Sequence, residues 1–394
     1  MAERARILVL NQIAASGLAL LPPERYETGP DMQRPDAILL RSADLHGREI
    51  APSVRAIARA GAGTNNIPLP AMNARGVPVF NAPGANANAV KELVLAGMLI
   101  AARELAPALR FTAALDVNAD GLEQRIEQGK AAFAGFELAG QTLGIVGLGK
   151  VGSLVADAAI KLGMQVVGYD PEITVDAAWN LPSQVRRASS VDEVLKSAHF
   201  VSLHVPLLAA TRGLVGARNL PLMQAGAVLL NFSRDGVADN AEVVKALAAG
   251  RLAHYVCDFP GPALHGQPRV VALPHLGAST REAEENCALM VVAQLRDFLE
   301  HGNVVNAVNF PAVALARESP WRVAIANANV PNMLGQISSA MAHAGLNIHN
   351  MVNKSRGEMA YTLVDVDSAV GAGVLTALGA IDGVLSVRYL PDAV

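Results

Sequence analysis

The segment Thr142-Leu-Gly-Ile-Val-Gly-Leu-Gly-Lys-Val-Gly152 decides the fold class of this chain. Its apolar residues 143–146 predict a short buried strand, and the run 150–162 has the apolar spacing of a helix. Between the two lies a GxGxxG pattern, formed by Gly147, Gly149 and Gly152. In a nucleotide-binding turn the first glycine permits the turn, the second admits a pyrophosphate, and the third lets helix and strand pack closely. The helix N-terminus would then present free N–H groups to the phosphates.

An acidic residue downstream makes this pattern more specific than a glycine-rich turn alone. Residues 165–169 predict a second strand, which ends in Asp170 at close to the expected separation of about 20 residues. A carboxylate there accepts hydrogen bonds from the ribose hydroxyls of NAD and repels the extra phosphate of NADP. The sequence therefore predicts a dinucleotide-binding unit that uses NAD.

Composition narrows the class of protein. The 394 residues suggest two or three domains, and 52% hydrophobic content with 17% charge allows large buried cores. A formal net charge of −3 without any basic run argues against a nucleic-acid partner. The apolar run 93–102 is half the roughly 20 residues that a membrane span needs. Two cysteines form neither a disulfide framework nor a metal pattern. We expect a cytoplasmic enzyme without a membrane segment or metal.

Short strands that alternate with helical patterns predict a doubly wound α/β fold in two successive parts. In the first part, residues 7–10 and 37–40 predict strands, and 86–104 predicts a long helix. Residues 105–140 show no regular pattern. After the glycine segment, further strands are predicted at 199–205, 227–233, 252–258 and 270–274. Ligand sites of such sheets lie at the carboxyl ends of the strands.

The last part of the chain has a different order of predicted strands and helices. A helix is predicted over 279–301, and residues 304–311 predict either a return strand or a linker. From residue 322 the order is strand, helix, strand, strand, helix, strand, the ferredoxin-like arrangement.

Two residues at predicted strand ends have the chemistry for hydride transfer from a 2-hydroxy acid. Such a reaction needs a cation for the carboxylate and a base for the hydroxyl proton. Arg234 follows the strand 227–233, and His275 follows the strand 270–274. From the residues alone, Arg234 could equally cap a helix or pair with Asp235, and a structural role for His275 would be the commoner one.

Three motifs together resemble the D-isomer-specific 2-hydroxyacid dehydrogenases, namely 147–152, 231–236 and 274–280. The segments 41–42, 81–83 and 84–92 are similar to the branch of that family that oxidises D-3-phosphoglycerate. The resemblance implies two Rossmann-like domains and a C-terminal regulatory ACT domain. The implied boundaries are 1–90 with 284–312 for substrate, 91–283 for NAD, and 318–394 for ACT.

The resemblance also implies roles for individual residues. Arg234 would bind the carboxylate and carbonyl oxygen, His275 would exchange the proton, and Asp258 would contact the nicotinamide amide. The cofactor would be held by Gly147, Gly149, Lys150, Val151, Gly152, Asp170, His204, Val205, Pro206, Thr211, Asn231, Phe232, Ser233, Arg234, Asp258, His275 and Gly277. The phosphorylated acid would be held by Arg41, Ser42, Gly63, Asn86 and Lys130. Without the resemblance, Arg41 and Lys130 would be interpreted as solvated surface charges.

One departure from the family pattern concerns the proton carrier. The family places a glutamate five residues after the aspartate that matches Asp258, where it orients the histidine; here that position is Ala263. No acid lies between Asp258 and His275. Either Asp258 or a carboxylate from elsewhere supports His275, or the histidine works without one. A missing acid should lower the basicity of the imidazole.

The C-terminal part offers three asparagines. In ACT domains similar positions bind L-serine across a dimer interface, and here they are Asn327, Asn329 and Asn347. The alternative is that these asparagines serve turns, which asparagine favours.

The resemblance predicts NAD-dependent oxidation of D-3-phosphoglycerate to 3-phosphohydroxypyruvate, in a homodimer or homotetramer that L-serine inhibits. A hydroxypyruvate or glyoxylate reductase of the same family is one rival. A catalytically weakened NAD(H)-sensing protein is the other, because of Ala263.

Overall fold

The computed structural model of this chain describes residues 4–118 and 120–391. The chain divides into two compact units, Met1–Asn86 with Arg281–Val394, and Ala87–Thr280. The boundaries predicted from the sequence divide the chain more finely, and they stay a prediction. Within the described ranges, no helix is both long enough and apolar enough to cross a membrane.

The first unit opens with a parallel sheet in the order β2-β1-β3-β4-β5. Its strands are β1 (Ala5–Leu10), β2 (Tyr26–Gly29), β3 (Ala37–Leu40), β4 (Ala56–Arg59) and β5 (Val79–Phe80), with short helices α1 (Ala15–Leu18) and α2 (Leu69–Ala74). All four residues of β3 are buried, as expected of a parallel strand covered on both faces. The carboxyl ends of β3 and β4 bring Arg41 and Arg59 to the same edge of the sheet.

The second unit begins with helices α3 (Ala87–Ala102), α4 (Leu105–Ala113) and α5 (Leu122–Lys130), followed by a 3₁₀ turn at Ala131–Phe133. The expectation of an irregular segment over 105–140 was therefore wrong. Neither α4 nor α5 contains a buried residue, so neither shows the buried apolar stripe that normally marks a helix in sequence. The ring of Phe111 on α4 packs against that of Phe133, with centroids 5.3 Å apart.

A seven-stranded parallel sheet forms the body of the second unit. Its strands are β6 (Thr142–Val146), β7 (Gln165–Tyr169), β8 (Val185–Arg187), β9 (Phe200–Leu203), β10 (Ala227–Asn231), β11 (Leu252–Cys257) and β12 (Val270–Ala272). The helices are α6 (Lys150–Lys161), α7 (Val175–Trp179), α8 (Val191–Ser197) and α9 (Asn240–Ala248), with 3₁₀ turns at Leu220–Leu222 and Pro262–Leu264. The order β12-β11-β10-β9-β6-β7-β8 reverses between β6 and β9, and ligands of such sheets bind at that reversal. The predicted doubly wound α/β fold is thereby confirmed.

The chain then returns to the first unit through α10 (Arg281–His301) and ends in a four-stranded antiparallel sheet. Its elements are β13 (Trp321–Ala328), α11 (Met333–His343), β14 (Ile348–Arg356), β15 (Met359–Val366), α12 (Ala372–Gly379) and β16 (Val384–Pro391). Their order agrees with the predicted strand, helix, strand, strand, helix, strand, and the sheet order is β14-β15-β13-β16.

The C-terminal sheet shares a hydrophobic core with the N-terminal sheet. One cluster of buried side chains joins Ile7 of β1, Phe298 of α10 and Tyr361 of β15. Polar contacts reinforce this packing, because the Tyr361 hydroxyl donates to the carbonyl of Gly302 at 2.8 Å. The two sheets of the first unit are therefore joined around α10.

Candidate active site

The three positions after β6 that carry glycine differ in what an added Cβ would meet. Gly147 has a φ of 94°, and a Cβ there would lie 2.7 Å from the carbonyl oxygen of His204. A Cβ on Gly152 would overlap the carbonyl oxygen of Gly147. A Cβ on Gly149 would meet no atom within 4 Å. The first and third glycines are thus required by the fold, whereas the open space at Gly149 is room for a ligand.

Asp170 lies beside this turn at the end of β7. Its Oδ2 accepts a hydrogen bond from the Leu148 amide at 2.8 Å, and its Oδ1 accepts one from the Glu172 amide at 3.0 Å. These bonds fix the carboxylate next to the glycine turn and leave further lone pairs for a diol. The glycine turn, the N-terminus of α6 and this carboxylate fit a dinucleotide whose ribose hydroxyls are unphosphorylated.

His204 follows β9 on the other side of the strand reversal. Its Nε2 lies 2.8 Å from the Ser202 hydroxyl oxygen, and burial lowers the pKa of His204 to about 4. The imidazole is therefore neutral at pH 7. The loop that follows is tied by Thr211, whose hydroxyl accepts from the Leu208 amide at 2.8 Å. Val205 and Pro206 continue this segment directly beyond the strand.

Asn231 builds the turn that carries Arg234. The side chain of Asn231 is buried; its Oδ1 accepts from the Ser233 hydroxyl at 2.8 Å, and its Nδ2 donates to the Arg234 carbonyl at 3.0 Å. Phe232 is also buried in this turn. Arg234 itself is exposed and donates to the Ser233 carbonyl at 2.6 Å. Among the residues that the structure describes, Arg234 and Asp235 form no ion pair, and Asp235 accepts from Asn240 at 3.2 Å.

Asp258 at the end of β11 holds the turn that carries His275. Its carboxylate is 1% exposed and accepts from the amides of Leu276 and Gly277, both at 2.7 Å. The His275 amide donates to the Asp258 carbonyl at 3.1 Å. Desolvation raises the pKa of the Asp258 carboxyl, and the two amide hydrogen bonds oppose that shift. Asp258 thus supports His275 through the backbone rather than through the imidazole.

The imidazole of His275 is held by an aromatic contact. His275 is exposed and has a φ of 58°, in the left-handed region where histidine is enriched among non-glycine residues. Its ring centroid lies 5.1 Å from that of Phe259, with the planes inclined at 59°. Within the described part of the chain, no carboxylate is hydrogen-bonded to this imidazole. Ala263 lies in the 3₁₀ turn Pro262–Leu264.

The predicted phosphate-binding residues Arg41 and Ser42 follow β3 in the first unit. Arg41 Nη1 lies 2.7 Å from Glu284 Oε1 at the start of α10, and the Ser42 amide donates to Asn11 at 3.1 Å. Arg59, at the end of β4, donates from Nε to the Arg41 carbonyl at 3.0 Å. Sequence reasoning missed Arg59, although its place at the end of a neighbouring strand was a usable signal.

The surroundings of the other predicted substrate residues give less indication of a binding role. Gly63 and Asn86 of the first unit are partly buried. Lys130 is the last residue of α5 in the second unit, where it forms an exposed ion pair with Glu127. This surface ion pair is what a solvated lysine would make, so the structure adds no support for a substrate role of Lys130.

Comparison with known proteins places the chain in a family. The profile described as "D-isomer specific 2-hydroxyacid dehydrogenase, NAD binding domain" matches residues 95–277. D-3-phosphoglycerate dehydrogenase from Haemophilus influenzae is 33% identical over 354 residues, which cover 87% of this chain and 82% of the relative. The chain belongs to the D-isomer-specific 2-hydroxyacid dehydrogenases. This dehydrogenase is NAD-dependent, and the predicted family and cofactor are confirmed.

Two further comparisons agree with that placement. D-3-phosphoglycerate dehydrogenase from Escherichia coli K12 is 33% identical to this dehydrogenase, covering 83% of this chain and 79% of the relative. The crystal structure of NAD⁺-bound 3-phosphoglycerate dehydrogenase from Entamoeba histolytica has a TM-score of 0.61. It covers 78% of this chain and 99% of that one at 24% identity, which supports the fold.

The three C-terminal asparagines of this dehydrogenase do not converge within one chain. Asn327 is buried and donates to the Ala328 carbonyl at 2.7 Å, while its Oδ1 accepts no hydrogen bond from the described part of the chain. Asn329 donates to the Gly357 carbonyl at 3.0 Å. Strand register puts these two at one end of β13 and Asn347 at the opposite end of the sheet. A ligand that contacts both Asn329 and Asn347 therefore needs two copies of the chain.

Proposed function

We propose that this dehydrogenase oxidises D-3-phosphoglycerate with NAD⁺, giving 3-phosphohydroxypyruvate, NADH and a proton. The observation that carries this proposal is its 33% identity, over most of both chains, to D-3-phosphoglycerate dehydrogenases of two bacteria. The neighbouring arginines Arg41 and Arg59 support a phosphorylated substrate, because guanidinium groups match phosphate geometry.

The proposed mechanism assigns the acid–base step to His275. Bound NAD⁺ supplies the hydride acceptor. Arg234 holds the substrate carboxylate and polarises the oxygen on C2, since it lies in the turn just beyond the buried strand β10. His275 takes the hydroxyl proton of C2 during oxidation and returns a proton during reduction. Asp258 keeps His275 in place by holding the backbone of residues 276 and 277.

Arg41 is proposed to bind the substrate phosphate in competition with Glu284. The 2.7 Å ion pair with Glu284 orients the guanidinium while leaving part of its N–H donors free. A phosphate carries more negative charge than one carboxylate, so it can share or displace this partner. We expect Arg41→Gln to raise KM for the phosphorylated substrate about tenfold, the effect of losing one charge-assisted hydrogen bond.

The decisive assay is NADH oxidation by the full-length protein with 3-phosphohydroxypyruvate, hydroxypyruvate or glyoxylate. We expect strong turnover with the phosphorylated acid, loss of that preference in Arg41→Gln, and no change in Arg218→Gln, an exposed arginine in the other unit. Preference of the wild type for hydroxypyruvate or glyoxylate would contradict the proposal and favour a reductase. NADH binding without turnover of any of the three acids would favour the NAD(H)-sensing alternative. Ala263, at the position of the family's orienting glutamate, is the feature that supports this alternative.

We further propose that residues 318–394 form an ACT regulatory domain that binds L-serine. The antiparallel βαββαβ sheet supports the ACT assignment, and amides can hydrogen-bond both ends of an amino acid. Because Asn329 and Asn347 lie at opposite ends of the sheet, the proposed site joins two subunits of a homodimer or homotetramer. L-serine should lower the rate of the wild type and leave Asn329→Ala unaffected; equal inhibition of both would contradict this site.

A further inference from the structure

Two adjoining cavities of about 490 and 450 Å³ lie in the first unit, away from the predicted substrate residues. They share Arg34, Ser53 and Arg55 as lining residues. Together they are lined by six arginines and one acidic residue, namely Arg4, Arg6, Arg34, Arg55, Arg75 and Arg388 with Asp36. We call the two neighbouring spaces together the arginine cavity. The whole chain carries a net charge of −3, whereas the lining of this cavity is strongly positive.

The arginine cavity lies at the amino edge of the N-terminal parallel sheet. Asp36 and Arg55 directly precede β3 and β4, and Arg6 lies near the start of β1. Arg41 instead follows the carboxyl end of β3. Because the strands are parallel, the cavity and Arg41 are at opposite edges of the sheet, and one small molecule cannot occupy both.

Two carboxylates do not neutralise the six arginines of the cavity. Asp36 accepts from the Arg6 amide at 2.8 Å and pairs with Arg55 at 3.0 Å, and Glu27, outside the lining, lies 3.8 Å from Arg6 Nε. Arg75 donates to the carbonyls of Ile50 and Ala51 at 3.0 and 2.7 Å, which holds its guanidinium without cancelling its charge. In the described residues, the Arg34 side chain makes no hydrogen bond or ion pair.

Arg388 adds a buried cation that forms no ion pair with an acid among the residues the structure describes. It lies 4.4 Å above the Phe298 ring and donates to the carbonyls of Phe298 and Leu299 at 3.2 and 3.1 Å. Its Nε is buried and has no hydrogen-bond partner within residues 4–118 and 120–391. Burial lowers the pKa of Arg388 to about 10, and the nearby Arg55 contributes in the same direction. A buried donor and a poorly compensated charge are both costly, and an anion would relieve both.

We propose that the arginine cavity binds a compact polyanion that carries phosphate groups. Several guanidinium groups around one space suit phosphate, which accepts paired N–H bonds from them. The second cavity is also lined by Leu385, Ser386 and Val387 of β16. The ligand therefore contacts both the N-terminal sheet and the C-terminal sheet, and it stabilises their packing by binding the folded state.

The test uses inorganic pyrophosphate as the probe, titrated calorimetrically into the full-length protein at constant ionic strength set with NaCl. Saturating NADH is present throughout, so that the pyrophosphate-binding turn after β6 is already filled. We expect wild type and Arg218→Gln to bind equally, and Arg34→Gln/Arg55→Gln to weaken binding at least about tenfold. Arg34→Gln alone should weaken it several-fold; this variant removes a side chain without partners, so it should fold even if the double variant does not. Arg41→Gln/Arg234→Gln, which changes the predicted substrate residues, should still bind.

Three results would overturn the proposal. Binding that is lost in Arg41→Gln/Arg234→Gln but kept in Arg34→Gln places the anion at the predicted substrate residues. Equal binding by all variants shows that the anion binds outside the arginine cavity or only by a non-specific ionic effect. No heat of binding by the wild type at millimolar pyrophosphate shows that the cavity does not take this class of ligand.

Discussion

At the scale of single residues, a substitution at Gly149 should affect cofactor binding and leave the stability of the fold nearly unchanged. A Cβ at this position meets no protein atom within 4 Å, so Gly149→Ala should leave the melting temperature nearly unchanged. The same methyl would occupy space through which a pyrophosphate approaches the backbone. We expect NADH affinity, measured by fluorescence titration, to fall at least about tenfold. Unchanged NADH affinity would show that the cofactor does not lie against this turn.

Gly152→Ala is the matched contrast. Its new methyl would overlap the carbonyl oxygen of Gly147, so here the fold itself must shift and the melting temperature should drop. Each of the two variants adds one methyl group to a glycine of the same turn, and only the surroundings of that methyl group differ. A loss of stability in Gly149→Ala equal to that in Gly152→Ala would mean that the space at Gly149 is filled by protein.

Phe259 is predicted to position His275 in place of an acidic partner. Phe259→Leu should lower kcat about tenfold, since a freed imidazole spends less time in reactive geometry, while KM for NADH stays unchanged. Phe259→Tyr keeps the ring and should restore the rate. A drop in melting temperature with no selective effect on kcat would instead indicate a packing role.

Much of the candidate site could be located from sequence because its residues follow strands. Asp170, Arg234 and His275 each follow a predicted strand directly or within a few residues, and the structure has each beyond a strand of the seven-stranded sheet. Their catalytic and binding roles remain predictions. The contact of Phe259 with His275 could not be predicted, because it depends on the left-handed backbone of His275, which no local pattern signals.

At the scale of elements, the agreement between sequence and structure was better for elements with buried residues than for helices without buried residues. The strand predicted at 165–169 coincides with β7, and the order of the C-terminal elements was predicted in full. The failure at 105–140 concerns α4 and α5, which bury no side chain. Periodic burial is the main signal of a helix in one sequence, so helices that lie on the surface escape it.

The link between β13 and α10 gives a prediction at this scale. Arg322 and Asp365 are both fully buried, with N–O distances of 2.6 and 2.8 Å, and Arg322 also donates to the His301 carbonyl at the end of α10. Arg322→Met leaves a buried carboxylate without its partner, which should cost about 3 to 5 kcal/mol. Urea unfolding measures this, with Arg322→Met/Asp365→Leu expected to regain part of the loss. A change below about 1 kcal/mol would show that the pair contributes as little as an exposed one.

At the scale of the whole molecule, the C-terminal segment is less separable than its sequence suggests. A change in the order of predicted elements near residue 318 predicts a domain boundary. The hydrophobic core of the first unit nevertheless contains both Ile7 and Tyr361, which are more than three hundred residues apart in the chain. Such contacts depend on which faces meet after folding, and one sequence does not specify them. Arg322 and Arg388 both donate to carbonyls in the last turns of α10, so the C-terminal sheet also completes that helix end.

Deleting residues 318–394 should therefore disrupt the first unit instead of only removing regulation. The deletion exposes the buried ring of Phe298, which Arg388 covers, and it removes the arginine donors from the end of α10. We expect truncated protein to aggregate or to unfold well below the wild-type melting temperature, as followed by size-exclusion chromatography and circular dichroism. Asn329→Ala, on an exposed loop beyond β13, should unfold like the wild type and is the better variant for testing a serine effect. A truncated protein that stays soluble and melts at the wild-type temperature would show that the C-terminal sheet is an independent module, and the shared core would then contribute little to stability.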